Sequence, residues 1–375
     1  MDVKPKILIA SVLKPVNDVR AYHKIGCSLA QTNKYDVNII GFNSKKVLLN
    51  EKITTYPIYS FNRLSLKRLL APYKFLIKAF KVKPKLLIVT TPELLQVSYL
   101  YKILFGAKLI YDIQENYYLN VKHSTAYSYV IKRLVLLKIR FTEWLSKWFV
   151  DHYFLAERIY ANQLNFIQNR PYTLIENKVK TPIAYTPKFN IKLTDNNYLR
   201  FIISGTLGES YGTIEGVLFY KSFRELYPSS SLTIIGYSAS HAYFKELLKY
   251  VQNDDNIQLI SDGRPVEHNR IIEEIKKADI ALLPYKIDAN LKGRIPTKIY
   301  EYIAYSLPMI TPQNSGWGEL IEPINAGITA NFNKRKAKSI LDNLQKMTFY
   351  SKSLSNDIFW ECEEDNLLKA INKFI

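Results

Sequence analysis

Cysteine is nearly absent from this chain: Cys27 and Cys362 are the only two in 375 residues. Far apart in sequence, they build neither a disulfide framework nor a Cys-x-x-Cys metal site. The five histidines, His23, His123, His152, His241 and His268, are scattered, with none paired at ligand spacing. No Gly-x-Gly-x-x-Gly fingerprint occurs, which argues against a dinucleotide cofactor, and there is no Asp-x-Asp pair to hold a cation on a diphosphate. No run approaches the ~18 uncharged apolar residues of a membrane-spanning helix. The start, Met1–Ala10, leads directly into a strand without a basic segment followed by a long apolar one. The expectation is a cytoplasmic protein, peripheral on the inner face of the cell membrane, with no metal and no cofactor.

Acidic residues are scarce in one half only. Residues 1–195 carry 31 Lys and Arg against 12 Asp and Glu, a net of +19, whereas residues 196–375 carry 21 of each. A basic half implies an anionic partner such as phospholipid headgroups, a polyphosphate carrier or nucleic acid. No nucleic-acid recognition motif accompanies the charge. Hydrophobic residues make up 47% of the chain and 28 are Tyr, so a folded protein with a sizeable core is expected.

Short apolar runs alternate with helix-length amphipathic segments. Lys6–Val12, Asp36–Phe42, Leu86–Thr90, Lys108–Tyr111, His152–Leu155 and Tyr172–Ile175 read as buried strands in a first array. Arg200–Ser204, Ser231–Gly236, Ile257–Ile260, Asp279–Leu283 and Leu307–Thr311 restart the pattern. Strands that alternate with helices predict parallel sheets covered on both faces. Thr181–Asn197, rich in Pro, Thr and Asn, has linker chemistry. The reading is α/β, with two Rossmann-like doubly wound domains, 1–190 and 191–356, facing a central cleft, and a C-terminal helix, 357–375, that packs back on the first domain. Ligands in such sheets bind beyond the carboxyl ends of the strands.

Arg294–Thr311 (RIPTKIYEYIAYSLPMIT) is the most informative stretch. Pro296 and Thr297 read as a helix entry, and Lys298 and Glu301 lie three residues apart on one face. A helix N-terminus with a lysine in its first turn suits a diphosphate, and a glutamate one turn on could accept from a ribose diol. On spacing alone, an ordinary solvent-facing Lys–Glu pair on an amphipathic helix is the favoured reading. The stretch is similar, however, to the donor-binding segment of the retaining GT-B glycosyltransferases of group 1, in which a Pro-x-Lys-x-x-Glu-Tyr helix precedes a Leu-Pro strand. That resemblance implies that Glu301 holds the nucleotide ribose and that Thr297 and Lys298 face the diphosphate. Gly205 and Thr206, after the first strand of the second domain, resemble the family's donor-side glycine turn. Asp18–Leu29 resembles its first loop and helix, with Asp18 and Arg20 on the acceptor side. Thr91–Leu95 and Tyr111–Tyr117 (YDIQENY) resemble a turn and a Tyr-Asp-x-His-Glu motif that would supply Asp112, Gln114 and Glu115 as catalytic residues.

This sequence departs from the family pattern at three places. Gly293 stands where many members have a glutamate eight residues before the ribose-binding one, which leaves the sugar contact open. Tyr211–Gly212 replaces a Lys-Gly pair, so that the basic contact to the diphosphate falls to Arg294 or Lys298. Gln114 replaces the histidine; it can donate a hydrogen bond but cannot act as acid or base at neutral pH.

Arg63–Lys85 and Lys132–Trp148 combine cations with Leu, Phe, Tyr and Trp, as helices in a membrane interface do. The simpler alternative for each is a helix whose apolar side covers the sheet. The resemblance implies a metal-independent, hexosyltransferase-type transfer from a nucleotide-sugar to a glycan or lipid-linked acceptor, with retention, in cell-surface polysaccharide synthesis. The competing readings are a nucleotide-sugar epimerase and an inactive scaffold that binds glycan or a partner.

Overall fold

The structure, a computed structural model, describes residues 4–44, 50–61, 65–123, 128–183, 185–193, 198–288, 291–332 and 337–375. Arg63 and Leu64 of the first basic segment, and Ala184 and 194–197 of the expected linker, lie outside the described residues.

The chain divides into two compact units, Met1–Lys180 with Trp360–Ile375, and Thr181–Phe359. In the first, β1 (Lys6–Pro15), β2 (Asp36–Phe42), β3 (Ile53–Tyr59), β4 (Leu86–Val89), β5 (Lys108–Ile113), β6 (His152–Leu155) and β7 (Tyr172–Leu174) form one sheet in the order β3-β2-β1-β4-β5-β6-β7. Every pairing in it is parallel. The two-residue period of a strand accounts for the covering of both faces. Leu8, Ala10 and Val12 enter one core with the helices Ala71–Val82 and Pro92–Phe105. Ile7 and Ile9 enter a second core, which the helix Trp360–Ile371 closes through Trp360, Leu367 and Ile371. The C-terminal helix thus belongs to the first unit, with the Trp360 indole N–H on Ser28 Oγ at 3.0 Å.

The second unit repeats the plan. β9 (Arg200–Thr206), β10 (Ser231–Tyr237), β11 (Ile257–Ile260), β12 (Ile280–Leu282), β13 (Met309–Thr311) and β14 (Gly327–Thr329) form a parallel sheet ordered β11-β10-β9-β12-β13-β14. A short antiparallel pair, β8 (Ile191–Lys192) with β15 (Thr348–Phe349), stands apart from it. In both sheets the strand order reverses beside the first strand, at β1/β4 and at β9/β12, and those reversals are the places where such folds take ligands.

The boundary falls between Lys180 and Thr181 rather than after residue 190. The segment expected as linker is fastened to the second unit: the Tyr185 hydroxyl donates to Tyr305 O at 2.5 Å, Lys188 N to Ser306 Oγ at 3.0 Å, and Asn190 N to Tyr350 O at 3.1 Å. At the other end, the last helix starts at Trp360 and not at 357. Two strands of the main sheets had not been expected. β3 contains Pro57, which lacks a ladder donor and so suits an edge, and β3 is an edge strand. β14 has three residues, too few to show a period.

Candidate active site

In the second unit, β9 ends at Gly205 and Thr206, and the helix Thr297–Ala304 starts beside that end. The Ser204 and Tyr302 hydroxyls, 2.8 Å apart, fasten helix to strand. Burial pushes the Tyr302 phenol well up, so it stays neutral. Lys298 lies across the strand end: a Cβ on Gly205 would come 3.1 Å from Lys298 Cε. Lys298 Nζ is 2.5 Å from Glu301 Oε2, and His268 Nε2, at the start of the helix His268–Lys277, is 3.8 Å from Glu301 Oε1. Glu301 is only 4% exposed. A buried carboxylate held by a lysine at a helix entry is a site of matched charges, in which either partner can turn to an incoming group of opposite sign. The pair is therefore not the solvent-facing one that spacing alone allowed.

Other donor-side candidates enter differently. Thr297 is the first residue of the helix, after Pro296 at its cap. Thr206 pairs with Tyr237 in the ladder between β9 and β10. Arg294 is fixed through its backbone, its N–H on Leu291 O at 3.1 Å and its carbonyl accepting from the Trp317 indole at 2.6 Å. Gly293 has φ of +79°, a conformation that side-chain-bearing residues rarely adopt. The missing glutamate therefore goes with a loop shape that would strain one. Tyr211 packs edge-on to Tyr285, which meets Trp317 in the same way, with centroid distances of 5.2 and 5.8 Å. An aromatic row thus runs from Tyr211 through Tyr285 to Trp317.

In the first unit, the candidates near the β1/β4 reversal are brought together but engage one another. Asp18 caps the π-helix Val19–Gly26, accepting from Arg20 N and Ala21 N at 3.0 Å each. The Arg20 guanidinium runs inward and grips Asp112: Nε lies 2.9 Å from Oδ2 and Nη2 lies 2.6 Å from Oδ1. Its remaining arm donates to Ile175 O at 2.7 Å and Asn177 Oδ1 at 3.1 Å. Arg20 and Asp112 are both buried. Asp112 lies inside β5, which runs on to Ile113 rather than ending at Tyr111. Gln114 Nε2 donates to Asp112 Oδ2 at 2.8 Å, and Glu115 Oε2 accepts from Asn120 at 2.7 Å. Next to Asn177, buried Lys178 binds Glu363 of the last helix at 2.6 Å and Glu176 at 3.5 Å. This extension was missed by sequence reasoning. Lys178 and Glu363 are separated by nearly two hundred residues in the chain, and no local pattern joins them. His268 was missed for a similar reason, since a lone histidine carries no signal until the fold sets it beside Glu301.

Among the described residues, no three His, Cys, Asp or Glu side chains group as a metal site, and no helix is long and apolar enough to cross a membrane.

Residues 186–349, most of the second unit, match the family Glycosyl transferases group 1. The amylovoran biosynthesis glycosyltransferase AmsK of Erwinia amylovora is 31% identical over 139 residues, which is 36% of this chain and 33% of that protein, so the likeness spans about a third of the relative's length. Two solved structures share the fold over nearly the whole chain. Sucrose-phosphate synthase from Thermosynechococcus elongatus has a TM-score of 0.69 at 12% identity, covering 99% of each chain. HepE from Anabaena in complex with UDP-glucose has a TM-score of 0.65 at 16% identity, covering 98% of this chain and 99% of that one. The two parallel sheets are those of a GT-B fold.

Proposed function

We propose that this protein is a glycosyltransferase that binds a nucleotide-sugar in its second unit and passes the sugar to a glycan or lipid-linked acceptor in cell-surface polysaccharide synthesis. The observation that carries this is the Lys298–Glu301 pair laid over Gly205 at the end of β9. It supplies a cation and a helix entry for a diphosphate, and a buried carboxylate for a ribose diol. The group 1 match covers this segment, AmsK is named for polysaccharide synthesis, and the HepE structure is described with UDP-glucose. When donor binds, Lys298 turns from Glu301 to the diphosphate and Glu301 accepts from the ribose in its place. Charge building on the leaving diphosphate is then met by backbone N–H groups near Thr297 and by Lys298 and Arg294. Gln114 and Glu115, on the strand end that Asp112 and Arg20 hold, serve the sugar or acceptor. The basic first half rests on an anionic membrane surface, where a lipid-linked acceptor would lie.

Titration calorimetry with UDP, GDP, ADP and their sugars tests the donor site. Glu301→Ala is expected to weaken the nucleotide that binds by 10-fold or more, on the order of the 1.5–3 kcal/mol of hydrogen bonds to a charged group. A folded variant with unchanged affinity rejects the assignment.

The reaction is proposed to retain the anomeric configuration, with the donor phosphate taking the acceptor proton, and to need no metal. The missing Asp-x-Asp motif supports the second point. With excess chelator, transfer should continue, and the product linkage should match the donor's when read by NMR. Activity that stops with EDTA and returns with magnesium or manganese refutes metal independence, and an inverted linkage refutes retention. Gly293 keeps a second reading in play, an inactive scaffold. Nucleotide binding with neither transfer nor hydrolysis of any nucleotide-sugar would establish it.

A further inference from the structure

The three helices on one face of the first sheet are apolar toward solvent. On the helix Tyr129–Ser146, Val130, Leu134, Leu137, Phe141 and Trp144 are all exposed, and exposed Trp148 continues their line. Their spacing of four, three, four, three and four is that of a single helical stripe. The inward side of the same helix buries Thr142, Glu143 and Ser146. The last turns of the helix thus set two hydroxyls and a carboxylate inside, beside Leu145 packed on the core, and large apolar groups outside.

The same stripe recurs next door. Leu66, Leu70, Tyr73, Ile77 and Phe80 are exposed along the turn Leu66–Leu70 and the helix Ala71–Val82. Leu100, Ile103, Leu104 and Phe105 are exposed on the helix Pro92–Phe105 between the other two. Phe80 and Phe105 meet with ring centroids 5.5 Å apart, which joins the first stripe to the second, and the helix Pro92–Phe105 packs on both of its neighbours. Monomeric soluble proteins rarely leave contiguous apolar surface on this scale.

The charges around the stripes select the occupant. Lys67, Lys74, Lys81, Arg133, Lys138 and Arg140 are exposed among them. The three segments contain two acids: Glu93, which is paired with Arg68, and Glu143, which is buried. A second copy of this face would set cations against cations. A nucleic acid would leave the stripes wet. An anionic bilayer satisfies both features, since acyl chains take the stripes and headgroups take the cations.

We infer that the three-helix face, formed by residues 66–82, 92–105 and 129–148, is an insertion surface that lies in the plane of an anionic bilayer with its apolar stripes below the headgroups. The inference rests on the membrane reading above for the identity of the lipid but not on the transferase assignment, and it adds that the anchor is chiefly apolar rather than a film of surface charge.

The four tryptophans allow a direct test. Trp144 and Trp148 are 52% and 71% exposed on this face, whereas Trp317 and Trp360 are buried. The full chain is mixed with phosphatidylglycerol vesicles whose acyl chains are brominated near the headgroup. Its fluorescence should fall on binding, and Trp144→Phe/Trp148→Phe, which leaves the buried pair, should bind without that loss. Leu134→Glu/Leu137→Glu should fold, keep nucleotide binding and lose roughly 10-fold or more in vesicle affinity, because two side chains that gain from burial now resist it. Sedimentation onto vesicles without quenching would overturn insertion while leaving a charge-only membrane contact standing. Absence of sedimentation at low salt would overturn both. A concentration-dependent dimer that shields the two tryptophans without lipid would assign the face to a second copy and overturn the proposal.

Discussion

Asp112→Ala is expected to cost about 3–5 kcal/mol of stability, the penalty for leaving one member of a buried ion pair without the other. Arg20 is 3% exposed and Asp112 fully buried, and two guanidinium nitrogens close on the carboxylate. Once Asp112 is removed, Ile175 O and Asn177 Oδ1 remain for the guanidinium, but no negative charge does. Replacing both partners, as in Arg20→Met/Asp112→Leu, should recover most of the loss, because a buried pair is worth little against apolar groups of similar volume. Thermal and denaturant unfolding of the two variants measures this. The result also separates two roles for Asp112. If it is a scaffold, the double variant regains stability, and nucleotide binding in the second unit is untouched throughout. If Asp112→Ala unfolds at the wild-type midpoint, the pair does not carry the structure assigned to it, and the carboxylate is available for chemistry.

The features that could be read from sequence were those carried by local period. β2, β6 and β11 have the bounds expected for them; β6 is buried at every position, as a strand covered on both faces is, whereas β11 lies at the sheet edge and exposes Gln258. The Lys298–Glu301 pair could be read because Pro296, Lys298 and Glu301 lie within six residues, and the structure sets Lys298 and Glu301 together as their spacing implied. What could not be read depended on pairing across the chain. Arg20 and Asp112 both look like polar residues near strand ends, open to ligand, until the fold puts them against each other. Lys178 and Glu363 are a basic and an acidic residue in unrelated segments until the last helix returns. The apolar periodicity of Lys132–Trp148 showed that a stripe exists but not which side faces the sheet. Thr142, Glu143 and Ser146 are the residues that turned inward, against the usual rule for a covering helix.

That reversal has a measurable price in Glu143. Its side chain is 2% exposed, Oε2 has no hydrogen-bond partner among the described residues, and Arg140 Nη1 stands 3.7 Å away. Burial pushes the carboxyl up to about 7, with Arg140 opposing in part. The direction of the pH effect follows from counting protons. As pH rises from about 4.5, the unfolded chain gives up a proton that the folded chain keeps, so stability falls across the window up to about 7. Above it both forms are ionised, and the full penalty of a buried charge remains. The interval corresponds to roughly 3 kcal/mol as an upper figure. Glu143→Gln keeps the shape and cannot ionise. It should therefore match wild type at pH 4.5 and below, and exceed it by up to about 3 kcal/mol at pH 8. Denaturant unfolding of both proteins at the two pH values decides this. An equal difference at both would mean that the charge is not the source. Because the apolar stripe occupies the opposite side of the same helix, vesicle binding by Glu143→Gln should equal that of wild type, so a cost in the fold can be measured apart from the surface that the reversal exposes.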